Sequence, residues 1–315
     1  MENHNQVAQF HDDEIDLREL FSVLWAAKKI IVAVTAVFAL ASVIFAISQP
    51  NKYEASALLT PARNSSAGLS GVLDNLGGLG GLASLAGVEI GGGSGGEAEI
   101  AQEILLSWGF LEKFVEENNL AVEVFAADGW DRESNQLSID NDLYDIDEKR
   151  WTRNPPSGKT VNPTSWEIYE EFLEMVSIST DKKTGLISLS VEYYSPYIAK
   201  QWVDQLVVAI NQYMQQRKLQ MVNTNIEYLE AQILKTSIAG MKEVFYTVIE
   251  EQIKNKMLAE ASPEYVFVTV SPAMVPEEKS QPKRVLICIL GVLLGGMLSV
   301  AFVLIRYYGF SKESN

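Results

Sequence analysis

The run SPAMVPEEKSQPKRVLICILGVLLGGMLSVAFVLI, Ser271 to Ile305, decides how the rest of the chain is read. Its first part carries Pro272, Pro276 and Pro282, each of which turns the preceding residue away from helix, so this stretch reads as extended. From Val285 to Ile305 there follow 21 residues without a charge. A helix rising ~1.5 Å per residue crosses a ~30 Å hydrocarbon core with about 20 residues, so the run can span a bilayer. A counterpart, IIVAVTAVFALASVIFAIS, runs from Ile30 to Ser48. It is longer than the apolar core of a signal peptide and follows an acidic leader, so it reads as a retained anchor. In the second span Gly291 and Gly295 form G-x-x-x-G, with Gly296 and Ser299 close by. Small residues let helix backbones approach, and Thr35/Ala39 or Ser42/Ala46 of the first span offer an opposing surface.

Between the spans lie 34 of the 41 acidic residues and 20 of the 25 basic ones. A segment this acidic has no electrostatic affinity for nucleic acid or an anionic lipid surface. The sole cysteine, Cys288, sits inside the second span, so the large segment holds itself together by burial and not by disulfides. Basic residues near the spans tie in number on the two sides. A long loop translocates largely regardless of charge, and Lys28 and Lys29 beside the first span then place both tails in the cytoplasm.

Residues 1–29 form an N-terminal tail whose Leu17, Leu20, Phe21, Leu24 and Trp25, with Ile15, make one apolar face of a short helix leading into the membrane. Residues 49–195 read as a base domain. It starts with a strand at Tyr53–Thr60 and contains a glycine-rich segment, 64–96, whose leucines from Leu69 to Leu85 recur at threes and fours. A helix is expected over Glu97–Asn118, and a solvated loop from Ala127 to Asn162. A further helix starts at Thr164, which with Glu167 makes a capping box. Strands at Val176–Thr180 and Leu186–Tyr193 join through a turn closed by Gly185. Residues 196–262 form a long helical protrusion. Its apolar stripe cannot be buried on a small sheet alone, and Gly240 marks its expected turn. A return strand and the proline-rich run-in fill 263–284, and 306–315 is a C-terminal tail. The fold class is thus an α+β membrane protein: two transmembrane helices bracket an α/β base domain with a long protruding helical hairpin.

No catalytic, cofactor or metal constellation emerges. His4 and His11, the only histidines, lie in the N-terminal tail. Gly91, Gly93 and Gly96 satisfy G-x-G-x-x-G, and Gly78, Gly80 and Ala83 its looser form, but without the strand and helix that dinucleotide binding needs. The Asp140–Asp147 cluster fails the calcium-loop pattern, with Tyr144 and Asp145 at its fifth and sixth positions. Gly158-Lys159-Thr160 lacks the upstream glycine of a phosphate loop, Arg153 standing in its place.

The chain resembles the bacterial polysaccharide co-polymerases, the chain-length determinant (Wzz) family. The resemblance rests on DEIDLRELFSVLWAAKK before the first span, on Pro50, Tyr53 and Ala55 just after it, and on TGLISLSVEYYSP. It rests also on Pro272–Pro276 followed by Pro282, Lys283 and Arg284. Membership implies an inner-membrane protein with both ends cytoplasmic and the base domain in the periplasm. It implies a homo-oligomeric ring that sets the modal length of a surface glycan made by a Wzy polymerase, without being an enzyme. The expected partners are further copies of the chain, membrane lipid, the Wzy-type polymerase and its lipid-linked glycan, with no cofactor. Rival readings are an adaptor or activator of a separate export kinase or translocation channel, and a periplasmic glycan hydrolase.

Overall fold

The computed structural model describes residues 17–62 and 94–310. They fall into two compact units, one made of the described residues up to Pro50 and from Gln281 onward, the other running Asn51–Ser280. In the first unit α1 (Leu17–Ala26) is separated from α2 (Lys28–Ser48) by Ala27, which leaves the helical region at φ −88° and ψ 6°. On α1 the rings of Phe21 and Trp25 stack at 6.0 Å yet stay exposed, and the Lys28 ammonium lies 4.5 Å from the Trp25 ring centre.

The second unit is built on β1 (Tyr53–Pro61). After it come α3 (Ser94–Leu105), α4 (Trp108–Glu117) and α5 (Ala121–Ala126). Two small hairpins follow, β2 (Ala127–Asp131) with β3 (Gln136–Ile139) and β4 (Tyr144–Asp145) with β5 (Arg150–Trp151). Then come α6 (Ser165–Met175), β6 (Val176–Thr180), β7 (Ile187–Tyr193), α7 (Pro196–Lys235), α8 (Ala239–Glu260) and β8 (Phe267–Ser271). The main sheet is antiparallel in the order β6-β7-β1-β8. Period-two alternation gives it one apolar face, on which Ala55 pairs with Val191, Ala57 with Leu189 and Leu59 with Ile187, all buried. The first half of α7 lies on that face through Ala199, Trp202, Val203, Leu206 and Ile210, whose steps of three and four follow the helical period. Trp202 meets Phe172 of α6 and Tyr193 of β7 at ring distances of 5.3 and 4.4 Å, and Phe114 of α4 stacks on Phe172. The chain then returns to the first unit and ends its described part in α9 (Arg284–Phe310).

Several expectations need correction. The helix expected over 97–118 is two, because Ser107 adopts extended backbone (φ −74°, ψ 148°) while its hydroxyl donates to Ile104 O. Serine competes in this way with the helical ladder. The hydroxyl of Tyr169 on α6 donates to Leu106 O at the same break. The stretch 127–162, expected as a solvated loop, contains β2 to β5 and a buried arginine. The hairpin does not turn at Gly240. Thr236 (ψ 128°) and Ile238 (ψ 113°) form an extended link that suits β-branched residues, and Gly240 already lies in the first turn of α8. Ser94, Gly95 and Gly96, the end of the glycine-rich segment, begin α3. Ile15, the leucines from Leu69 to Leu85, the glycines at 78, 80, 91 and 93, and both histidines lie outside the described residues.

Candidate functional site

Helix propensity and unbroken apolarity make α2 and α9 long and apolar enough to cross a membrane. They pack on each other, and their closest approach is set by glycine. A Cβ on Gly291 would collide with Cβ of Ser42 and come within 2.7 Å of its Oγ; one on Gly295 would come within 2.6 Å of the Phe38 Cβ. Ser299, fully buried, returns its hydroxyl to Gly296 O. Gly296 itself faces open space, so it stands apart from the two glycines with which the sequence groups it. Of the suggested opposing residues, Ser42 is in contact, and Phe38 takes the place expected of Thr35 or Ala39. At the end of the pair, Nε of Arg284 donates to Ala46 O at 3.0 Å. That places a cation at the carbonyl end of α2, where the helix dipole favours it.

The membrane-proximal motif residues are distributed as follows. Pro50 follows the end of α2, while Pro282 and Lys283 immediately precede α9. Tyr53 opens β1 opposite Tyr193, its ring edge-on to Trp130 at 5.7 Å, and Ala55 is buried opposite Val191. Pro272 ends β8, whose Ser271 pairs with Leu58; Pro276 lies in the irregular stretch beyond. Only Tyr53 and Ala55 thus lie on the main sheet, with Pro272 directly after its strand β8, while Pro50, Pro276, Pro282, Lys283 and Arg284 lie on none of its strands.

Two polar groups of the large unit are absent from the sequence-based reading. Asn211, on the buried face of α7 and 3% exposed, accepts from the backbone N–H of Val266 and Phe267 at 2.8 and 2.9 Å. It donates to Phe267 O and Val207 O at 3.0 and 3.1 Å. One turn further, Gln215 donates to Ala259 O and Ser262 O at 2.8 and 3.0 Å, closing the carbonyl end of α8. This i, i+4 amide pair clamps the root of the hairpin to the start of β8. The second group is the Arg153–Glu167 pair. Both side chains are buried and joined by two hydrogen bonds of 2.9 Å, while Arg153 also donates to Val161 O and Thr160 O. The guanidinium holds the Glu167 carboxyl far below the usual carboxylate range, and the Thr164 cap adds to this. The position that breaks the phosphate-loop pattern is therefore the anchor of the 153–167 segment. Lone polar residues in these contexts give no periodic signal. The only trace of Asn211 is an amide standing on the apolar stripe between Ile210 and Met214.

Beyond its root the hairpin holds itself together through Val222 and Ile233 of α7 and Ile249 of α8. Met221, Tyr228 and Leu234 on α7 and Val244, Tyr246, Ile253 and Met257 on α8 remain exposed. Among the described residues no group of three His, Cys, Asp or Glu side chains is placed to hold a metal ion.

The chain thus has two helices long and apolar enough to cross a membrane, one on each side in sequence of an α+β unit that carries a helical hairpin. Two family models match it: Wzz, the chain length determinant protein, over residues 13–118, and GNVR, the G-rich domain on putative tyrosine kinase, over 239–308. Residues 13–118 are thus similar to the chain length determinant proteins. Among solved structures it is similar to a full-length bacterial polysaccharide co-polymerase, with 14% identity over 95% of this chain and all of that one, at a TM-score of 0.38. It is also similar to a fragment of WzzB, the polysaccharide co-polymerase from Salmonella Typhimurium, with 12% identity over 73% of this chain and all of that one, at 0.29. No curated protein sequence matches. The two apolar helices fit a two-pass inner-membrane protein, and the family supports a chain-length regulator role.

Proposed function

We propose that this protein is a non-enzymatic regulator of the length of a surface polysaccharide made by a Wzy-type polymerase. The observation that carries this reading is the Wzz match over residues 13–118, which takes in α1, α2, β1, α3 and α4. Both tails lie in the cytoplasm and the unit Asn51–Ser280 lies in the periplasm. Several copies assemble through the apolar faces that the hairpin leaves uncovered, since helices with exposed Val244, Tyr246, Ile253 and Met257 bury that surface on further copies. The ring so formed meets the polymerase or its lipid-linked glycan. Deleting the gene tests the reading: the glycan ladder on a gel shifts from a modal cluster to an unregulated spread, and an unchanged ladder sinks it.

One observation favours a second reading. The stretch 239–308 matches a domain described from putative tyrosine kinases, which suits an adaptor for a separate kinase or export channel. Co-purification of a cytoplasmic kinase with the full-length protein, lost when residues 1–16 are removed, supports that role.

A further inference from the structure

The unit Asn51–Ser280 holds a cleft of about 400 Å³ that none of the features above uses. Its size falls in the range of about 300–1,000 Å³ usual for small-molecule sites. Apolar wall is supplied by the rings of Phe125, at the end of α5, and Tyr194, just past β7. Polar wall is supplied by Glu171 and Glu174, one helical step apart on α6, and by Asp142 beyond β3. Glu171, Glu174 and Asp142 are exposed and Tyr194 is half-buried, and among the described residues no hydrogen bond or ion pair engages the carboxylates of Glu171 and Glu174 or the hydroxyl of Tyr194, so these groups are open to a ligand in the cleft.

Two cations border the cleft, but only one is available. The Arg153 guanidinium lies 5.1 Å from the Phe125 ring centre with its donors taken by Glu167, Val161 O and Thr160 O. Lys52 lies over the Tyr194 ring at 5.5 Å. Three carboxylates therefore face one ammonium, and the balance at the cleft is negative. Burial, followed by the neighbouring charge of Glu174, raises the Glu171 pKa, so a donor or cation brought close to it relieves an existing cost. Ring faces suit the C–H face of a sugar, while carboxylates accept from its hydroxyls; an anionic ligand meets like charge.

We propose that this cleft binds a hydroxyl-rich saccharide segment, uncharged or amine-bearing, and rejects acidic sugars. The biological side of this assignment rests on the glycan-regulator reading above. The test is calorimetric titration of the full-length protein in detergent micelles at low salt with three probes: a glucosamine tetramer, an N-acetylglucosamine tetramer and a galacturonate tetramer. The expected order of affinity is glucosamine, then N-acetylglucosamine, with no measurable binding of galacturonate. The double variant E171Q/E174Q weakens the glucosamine tetramer by about tenfold or more, since a charge-assisted hydrogen bond contributes about 1.5–3 kcal/mol. Y194A weakens both of the first two probes. E116Q/E133Q, which removes the same charge outside the cleft, leaves all three titrations unchanged, and circular dichroism checks that each variant is folded. The proposal is overturned if galacturonate binds as well as glucosamine, if neither of the first two probes binds, or if E171Q/E174Q has no larger effect than E116Q/E133Q. The two ideas fail separately. A lost sugar preference beside a deletion that still shifts the glycan ladder refutes the cleft alone, whereas an unshifted ladder refutes the length-regulator reading whatever the titrations show.

Discussion

Replacing Asn211 by leucine tests whether the hairpin root is held by a single amide. The side chain is 3% exposed and has all its hydrogen-bonding capacity in use. Leucine leaves the N–H of Val266 and Phe267 without an acceptor, and Phe267 O without its side-chain donor. Val207 O is less affected, because a carbonyl within α7 keeps its helical partner. A buried polar group left unsatisfied costs ~1–3 kcal/mol. Three of them, reduced by water reaching the strand end and by the added apolar contact, come to about 3–5 kcal/mol. That is a large part of the ~5–15 kcal/mol that stabilises a typical domain. With a denaturant slope of roughly 2–3 kcal/mol per molar, the urea midpoint of N211L falls by about 1–2 M. Hydrogen exchange locates the effect: the amides of Val266 and Phe267 lose protection while those of β7 keep theirs. N211D, which keeps the acceptor and loses the donor, falls between wild type and N211L. An N211L protein within about 1 kcal/mol of wild type, with Val266 and Phe267 still protected, refutes the clamp.

Breaking the Arg153–Glu167 pair by E167Q strands a buried guanidinium and costs about 3–5 kcal/mol in the same unfolding experiment. Because Glu167 is held below its ordinary value of 4.5, its stabilisation is complete above that pH and is lost as pH falls toward the lower folded-state value. The wild-type stability curve therefore declines below about pH 4.5 more steeply than that of E167Q; parallel acid limbs contradict the pairing. In the membrane pair, Gly291→Leu and Gly295→Leu separate α2 from α9, weaken assembly in detergent and broaden glycan length, while Gly296→Leu behaves as wild type; indifference to both of the first two removes their packing role. On the hairpin, V244D/I253D lowers the particle mass measured in detergent without loss of helical signal, and an unchanged mass places self-association elsewhere.

What could be read from the sequence was whatever repeats or caps locally. Thr164 and Glu167 form their capping box with both bonds present. The alternation of ISLSVEY becomes β7, and Gly185, at φ +70°, closes the turn that precedes it. Charge-free runs became α2 and α9. Features set by distant partners stayed hidden. Arg153 reads as a loop residue until Glu167 is brought to it by α6, and Asn211 reads as a blemish on a helix until β8 arrives with two unpaired amides. Gly240 misled because glycine is the usual breaker, whereas here Thr236 and Ile238 extend the chain without needing a left-handed residue. The glycine pair of α9 was visible as a motif, but only geometry distinguishes Gly291 and Gly295 from Gly296.

The strand order β6-β7-β1-β8 also fixes a schedule. β1 is made first, yet Tyr53 pairs with Tyr193 and Pro61 with Phe267, so both its edges wait for sequence far downstream. The first contact within the main sheet available to the growing chain is the local β6–β7 hairpin, since long-range pairing pays loop-closure entropy before it returns any stability. At roughly 5–20 residues per second, β1 spends about ten seconds or more without its last neighbour. A chain stopped anywhere before Phe267 keeps one edge of β1 open to pairing with another molecule, which marks truncated copies for aggregation or proteolysis and leaves assembly to complete chains.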